Sequence, residues 1–214
     1  MSKVICIAGE SGSGKTTAMR NLDPGTTYYV DADGKGLSWK GWKDQYNPGN
    51  RNYLKTDHVD KVRRLLEMIK NNPDKGYRVI VIDTINGLMV ADEMRRAKEK
   101  GYDKWMDLAA CVWDLINDAY TLPDDITVIF VAHTQTERDE SGYEFTRIKT
   151  SGKKLGKIDL ESRFTTVLIA KEMDGKYVFQ THAHNSTAKT PLGAFTEDEV
   201  ENDIVKVLES LKDF

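Results

Sequence analysis

The chain predicts an α/β fold, a mainly parallel central sheet flanked by helices with a hairpin and a helix at the C-terminal end. Three observations predict it. Short apolar, β-rich runs alternate with stretches whose apolar residues recur at helical spacing, the pattern of buried strands joined by crossover helices. The run Val4-Ile5-Cys6-Ile7-Ala8 enters the glycine-rich segment Gly9, Glu10, Ser11, Gly12, Ser13, Gly14, Lys15, Thr16, Thr17, which fills every position of G-x-x-x-x-G-K-[ST]. A second apolar run, Val79-Ile80-Val81-Ile82, delivers the carboxylate of Asp83 to its C-terminal edge.

The elements follow in order. Strands are expected at 3–8, 27–31, 51–55, 77–83 and 126–132, and a helix leaves the glycine loop at Thr16 to Leu22. Val59, Val62, Leu65, Leu66 and Ile69 line one face of a helix at 58–71. Trp105, Leu108, Val112, Ile116 and Ala119 do the same at 103–120, and Asn71 to Gly76 reads as a turn. Residues 163–182 read as a hairpin, Phe164 to Ala170 and Tyr177 to Thr181 around Asp174-Gly175. Thr196 with Glu199 forms a capping box, so the final helix is expected to start there and to carry Val200, Ile204, Val207, Leu208 and Leu211 toward the sheet. The 214 residues, 39% hydrophobic and 30% charged, suit a single domain spanning 1–214 with a full core. A formal charge of −3 means that any nucleic-acid contact must come from a local basic patch. No secretory leader and no apolar stretch of membrane-spanning length is present, so a soluble, cytoplasmic protein without membrane partners is the expectation. Cys6 and Cys111 have no metal-type spacing and read as free thiols, and His182 and His184 lack a completing ligand, so no structural metal is expected.

The glycine loop is the most specific signal. Its glycines let backbone N–H groups turn toward phosphates, Lys15 neutralises the β and γ oxygens, and the Thr16 hydroxyl reaches Mg²⁺. Asp83, at the end of a buried strand in an open α/β sheet, faces the same crevice and can hold a Mg²⁺-bound water beside Thr16. ATP and Mg²⁺ are the ligands this pair implies. Hydrolysis needs two further groups, a carboxylate to orient water and a polar group that senses the γ-phosphate. Tyr28-Tyr29-Val30-Asp31 runs into Ala32-Asp33-Gly34, and Val128 to Ala132 runs into His133-Thr134-Gln135.

With these residues the chain resembles the RecA-like P-loop ATPase core, in which a strand ending Asp-Ala-Glu supplies the catalytic glutamate. The matching residues here are Asp31-Ala32-Asp33, and the resemblance makes Asp33 the water-activating group with a shorter side chain; the alternative is a turn carboxylate before Gly34. His133 stands where that core has a γ-phosphate-sensing glutamine, and a neutral imidazole also donates one hydrogen bond; the alternative is a histidine satisfied at a buried strand end. After His133 the RecA-like core carries a mobile DNA-binding loop. Here the segment 134–162 is poor in apolar residues and carries Arg147, Lys149, Lys153, Lys154 and Lys157, spaced by glycines, a composition that suits single-stranded DNA or, alternatively, a solvated lysine-rich loop. A weaker second DNA loop is Arg95, Arg96, Lys98, Lys100, Tyr102 and Lys104. The resemblance also implies a homo-oligomer with the nucleotide between subunits, Lys189 reaching the neighbour's site; a surface lysine is the alternative.

The likeness is to the short RecA-core ATPases of bacteriophages linked to single-strand annealing and recombination, which would place the protein in the host cytoplasm. Only Met1 and Ser2 precede the first strand, so a ring, or assembly aided by a single-strand DNA-binding protein, is expected rather than a filament docked through an N-terminal arm. The competing readings are a P-loop small-molecule kinase and a nucleotide-dependent switch module without DNA binding. A kinase would want lid arginines where this chain has lysines, and the guanine-reading Asn-Lys-x-Asp of switch GTPases is absent.

Overall fold

The computed structural model describes residues 2–101, 103–138, 140–150 and 159–214, leaving out the side chains at 103, 105, 108 and 109. Its elements are β1 (Lys3–Gly9), a 3₁₀ turn (Thr17–Asn21), β2 (Thr27–Asp31), the short α1 (Trp42–Gln45), β3 (Tyr53–Lys55), α2 (Val59–Lys70), β4 (Val79–Asp83), α3 (Ile85–Arg95) and α4 (Asp103–Tyr120). Then come β5 (Thr127–Arg138), β6 (Glu144–Ile148), a second 3₁₀ turn (Leu160–Arg163), β7 (Thr166–Met173), β8 (Lys176–Gln180), β9 (Glu199–Glu201) and α5 (Ile204–Ser210).

The strands lie in the order β3-β2-β4-β5-β1-β7-β8-β9, parallel from β3 to β7 and antiparallel at β8 and β9. Alternation along β1 shows why both faces are buried: Val4, Cys6 and Ala8 enter one core, Ile5 and Ile7 the other. On the first face lie α2, α3 and α4, with Val59, Val62, Leu65, Leu66 and Ile69 of α2 all buried as their spacing predicts. Each such side chain contributes roughly 1.5–3 kcal/mol of burial. On the second face Ala18 and Met19, from the turn after the glycine loop, pack with Ile204, Val207 and Leu211 of the C-terminal helix region. This packing explains why the final helix holds the glycine loop's exit in place. Trp105 and Leu108 of the α4 stripe lie outside the described side chains.

Three local expectations are corrected. The capping box does not start a helix: Glu199, Val200 and Glu201 pair with β8, and α5 begins instead after Asp203, whose carboxylate accepts from Val205 N–H at 3.0 Å. A sheet edge with backbone ladder partners outweighs the local capping preference. The segment expected as a loop after His133 continues β5 to Arg138 and returns as β6, pairing Thr134↔Ile148 through Arg138↔Glu144. Its return strand is held on the other side by Thr146 N–H to Asn185 O (2.8 Å) and Thr187 N–H to Thr146 O (3.0 Å), and the buried Glu161 accepts from Ile148 N–H at 2.6 Å. The second basic segment is no loop at its start. Arg95 ends α3 and pairs with Asp57 at 3.1 Å, Arg96 pairs with Glu99 and Asp107, and Lys104 is buried in α4; Tyr102 lies outside the described residues. No helix among the described residues is long and apolar enough to cross a membrane.

Candidate active site

The parallel register brings four strand ends together. Gly9 of β1 stands opposite His133 of β5, Asp83 of β4 opposite Val131, and Asp31 of β2 opposite Asp83. Because β5 lies between β1 and β4, the His133 end emerges between the glycine loop and the Asp83 carboxylate. A cavity of about 240 Å³ opens there, walled by the loop, Lys35, Asp83, Thr84, His133 and Tyr177.

The loop itself needs its glycines. Gly14 has φ +86°, and a Cβ there would stand 2.9 Å from the Tyr177 ring, so both conformation and space exclude a side chain. Lys15 is 6% exposed and donates to the Glu10 carbonyl at 2.6 Å. Burial lowers its pKa to about 8, and Asp83 pulls the other way. The amine is therefore mostly charged at neutral pH, and an incoming phosphate would favour the cation further.

Asp83 is buried at 4% exposure. Its Oδ2 accepts from the Thr16 hydroxyl at 2.7 Å and the Tyr29 hydroxyl at 2.6 Å, while Oδ1 is buried without a partner. Burial raises its pKa, and the hydrogen bonds from Tyr29 and Thr16 oppose the rise. An orphaned carboxylate oxygen beside a threonine hydroxyl is a hard, oxygen-only donor set, and it fits a small divalent cation such as Mg²⁺ with waters completing its shell. Ser13 Oγ, also buried without a partner, leaves a further polar group at the phosphate cradle.

Asp31 and Asp33 divide the loop after β2 between them. Asp31 clamps the turn, accepting from Gly34 and Gly36 N–H at 2.8 Å each and from the Tyr53 hydroxyl at 2.7 Å. Asp33 turns to the site instead, where Thr84 Oγ1 donates to Oδ1 at 2.8 Å and Lys35 Nζ to Oδ2 at 2.6 Å. Burial would raise its pKa, but the hydrogen bonds from Lys35 and Thr84 outweigh it and hold the carboxyl below its ordinary value. The turn packs so closely on α3 that a Cβ at Gly87 would lie 2.4 Å from Asp33 Oδ1 and 3.0 Å from the Ala32 carbonyl oxygen. Thr84 caps α3 through Gly87 N–H at 3.0 Å and orients Asp33 with the same hydroxyl.

His133 lines the cavity half-buried, its pKa lowered first by burial and then by Lys15, so the ring is neutral at physiological pH. Its backbone is fixed by Asn86: His133 N–H donates to Asn86 Oδ1, Asn86 Nδ2 donates to the Lys149 carbonyl, and Lys149 N–H returns to the His133 carbonyl, each at 2.7 Å. Lys149 is exposed and Arg147 half-buried on β6; Lys153, Lys154 and Lys157 lie outside the described residues. Lys189 is not in the cavity wall. It makes an antiparallel bridge with Val167, which sits opposite Cys6 in mid-strand, below the strand ends that form the site.

Tyr29, Lys35, Thr84, Asn86 and Tyr177 were not legible as site residues. The one available signal was Thr84, a capping residue directly after a strand-ending aspartate and before the apolar Ile85, Leu88 and Met89.

A model of the AAA domain family AAA_24 matches residues 1–192. The chain belongs to this AAA domain family. The matched span of the AAA domain carries the glycine loop, Asp33, Asp83, His133 and Lys189, and leaves α5 outside. Its architecture is α/β: a mostly parallel sheet with helices packed on it, the loop strand and the carboxylate strand separated by β5. No curated protein matches the chain. Among solved structures, the AAA domain is similar to a KaiC-like protein from the hyperthermophilic archaeon Pyrococcus horikoshii OT3, at 12% identity over 83% of this chain and 76% of that one, TM-score 0.48. It is also similar to the RadB recombinase, at 18% identity over 86% of this chain and 82% of that one, TM-score 0.45.

Proposed function

We propose that this AAA domain hydrolyses ATP with Mg²⁺ and couples turnover to single-stranded DNA, as an oligomeric RecA-type ATPase of the phage kind used in annealing, recombination or replication. The observation that carries the hydrolytic part is the Asp83 carboxylate, clamped by Thr16 and Tyr29 with one buried oxygen spare, within a cavity that also holds Lys15, Lys35 and His133. Mg²⁺, held by Thr16 and Asp83, would supply charge neutralisation across the phosphate oxygens. Lys15 exchanges its contact with the Glu10 carbonyl for phosphate oxygens. Asp33, ionised at neutral pH, accepts a hydrogen bond from the attacking water; its depressed pKa makes it an orienting group more than a strong base. Neutral His133 donates to the terminal phosphate, and the Asn86 bridge ties that strand end to the backbone of Lys149, where the basic segment runs on. That tie supports the DNA half of the reading, with Arg147, Lys149, Lys153, Lys154 and Lys157 as phosphate contacts. Lys189 is assigned to a neighbouring subunit's nucleotide.

The test is phosphate release from ATP by the parent and Lys15→Ala proteins, with and without single-stranded DNA, beside a panel of small phosphoryl acceptors. Magnesium-dependent release that DNA accelerates and Lys15→Ala lowers by about 100-fold or more supports the proposal. Transfer to an acceptor instead of water makes the protein a kinase, and slow release indifferent to DNA makes it a switch.

A further inference from the structure

Lys35 is the charged group of the site to which the hydrolytic reading gives no task. It stands in the wall of the glycine-loop cavity, and among the described wall residues Lys15 and Lys35 are the two cations, His133 being neutral at physiological pH. With Asp83 assigned to a divalent cation, these two amines are what remains to meet the charge of a triphosphate. Burial is the main cause of the pKa shifts at Lys15, Asp83 and His133, and the Lys35 charge is among the further causes at all three, so its amine lies within electrostatic reach of each.

The backbone that carries Lys35 is fixed on both sides. Gly34 and Gly36 flank it, and the N–H of each donates to the Asp31 carboxylate at 2.8 Å. Leu37 is buried in the second core with Tyr29 and Tyr46, and the Ser38 hydroxyl shares a hydrogen bond with that of Thr17 at 2.8 Å. One end of this segment is thus tied through Asp33 to Thr84, beside the Asp83 strand end, and the other to the exit of the glycine loop. Lys35 stands between the two ties. Its side chain, by contrast, is 58% exposed, and its amine pairs with Asp33 Oδ2 at 2.6 Å. An ion pair this exposed contributes little, so a phosphate oxygen can replace the carboxylate at small cost. The pair engages the Asp33 oxygen that Thr84 leaves open, because Thr84 donates to Oδ1.

We propose that Lys35 is a catalytic residue whose amine exchanges the Asp33 carboxylate for an oxygen of the terminal phosphate, so that one movement neutralises that phosphate and releases Asp33 Oδ2 to the attacking water. The proposal rests on the nucleotide-site reading above. In the hydrolysis it serves, the water oxygen bonds to the terminal phosphorus, the bond that breaks leaves its electron pair on the ADP oxygen, and both water hydrogens leave with the phosphate. A diphosphate offers no terminal group at that position, so with ADP the Lys35–Asp33 pair stays closed. Lys35 thereby makes the site read the third phosphate.

Calorimetric titration with the β,γ-imido analogue of ATP and with ADP, both in Mg²⁺, tests this in the parent, Lys35→Ala and Lys35→Arg proteins beside single-turnover hydrolysis of ATP. Lys35→Ala should bind the imido analogue roughly 10- to 150-fold more weakly, the range of one charge-assisted hydrogen bond, with ADP unchanged within about twofold. Its single-turnover rate at saturating ATP should fall by about 100-fold or more. Lys35→Arg, which keeps the charge, should recover most of both. Analogue affinity and turnover equal to the parent in Lys35→Ala overturn the proposal and leave a surface ion pair. Equal loss of analogue and ADP overturns it too, the amine then meeting a phosphate that both nucleotides share. Slow turnover with unchanged analogue affinity overturns the phosphate contact and makes Lys35 a prop for Asp33. Each of these outcomes, in a parent that binds and hydrolyses ATP, removes Lys35 alone; a parent that binds neither nucleotide refutes the nucleotide site, and the role of Lys35 with it.

Discussion

Replacing Tyr29 by Phe removes one hydroxyl from a buried contact. Tyr29 is fully buried, Asp83 nearly so, and the hydroxyl donates to Asp83 Oδ2 at 2.6 Å. The ring's packing on Trp39 and Tyr46, with centroids 6.3 and 5.5 Å away, is kept by Phe, so the change isolates the hydrogen bond. Asp83 Oδ1 already lacks a partner, which leaves Thr16 as the remaining donor to the carboxylate among the described residues. A bond to a charged group contributes about 1.5–3 kcal/mol, and that much stability should be lost at neutral pH. The pH dependence has a definite sign. Burial raises the Asp83 pKa and the Tyr29 bond opposes the rise, so Phe moves the folded-state value further up. Below the unfolded value the carboxyl is protonated in both states and contributes nothing. As pH climbs from the ordinary aspartate value toward the raised folded value, the unfolded chain ionises first and folding stability falls. The deficit of Tyr29→Phe against the parent should therefore be full at neutral pH and shrink on acidification through that window, as read by urea denaturation. A carboxylate freed from its second donor is also a poorer cation ligand. The Mg²⁺ concentration that half-saturates nucleotide binding should rise about 10- to 100-fold. Equal stability of variant and parent at neutral pH, together with an unchanged Mg²⁺ requirement, would refute the idea that Tyr29 holds Asp83 for its cation.

Asp33→Asn should bind ATP as the parent does and turn it over about 10²- to 10⁴-fold more slowly in a single-turnover assay; the parent rate in that variant moves water orientation to another group. Lys189→Ala should lower turnover without abolishing nucleotide binding, and mixing it with Lys15→Ala should restore part of the activity through hybrid interfaces; full activity of Lys189→Ala alone counts against a shared site. Replacing Lys153, Lys154 and Lys157 by Ala should flatten the salt dependence of single-stranded DNA binding by ~0.7 in log-log slope per lost phosphate contact. DNA binding equal to the parent at every salt concentration in that variant identifies a solvated loop.

The legible parts of the fold are those in which a local pattern and its tertiary use coincide. β1, β2, β4 and α2 are buried as their patterns predict, α4 is so at Val112, Ile116 and Ala119, and the glycine loop follows its strand as the motif requires. The failures have separate physical causes. β9 competes with a good capping box and wins because β8 offers an unpaired edge. The β5–β6 hairpin is nearly all polar, and of its return strand only Ile148 is buried, so no apolar period betrays it; its order comes from the backbone ladder and from Asn185, Thr187 and Glu161, residues remote in sequence. α3 was hidden by the weak amphipathicity of Ile85–Arg95, where Val90 and Met94 are exposed.

The site shows the same division. Lys15, Thr16 and Asp83 are spelled by motif because their chemistry needs fixed offsets from strand ends. The residues that aim them are selected by contacts across the sheet, and such contacts leave no fixed spacing. Tyr29 reaches Asp83 from the neighbouring strand, Thr84 reaches back to Asp33, and Asn86 closes a ring with His133 and Lys149. Thr84 and Asn86 both stand at the start of α3, two residues apart, and each serves a different arm of the site. A small displacement of that helix terminus would move Asp33, proposed to orient water, and His133, proposed to donate to the γ-phosphate, together, and through the Lys149 backbone it would reach the segment that carries the lysines. Coupling of turnover to DNA needs no separate transmission element if both ends already share this one helix start.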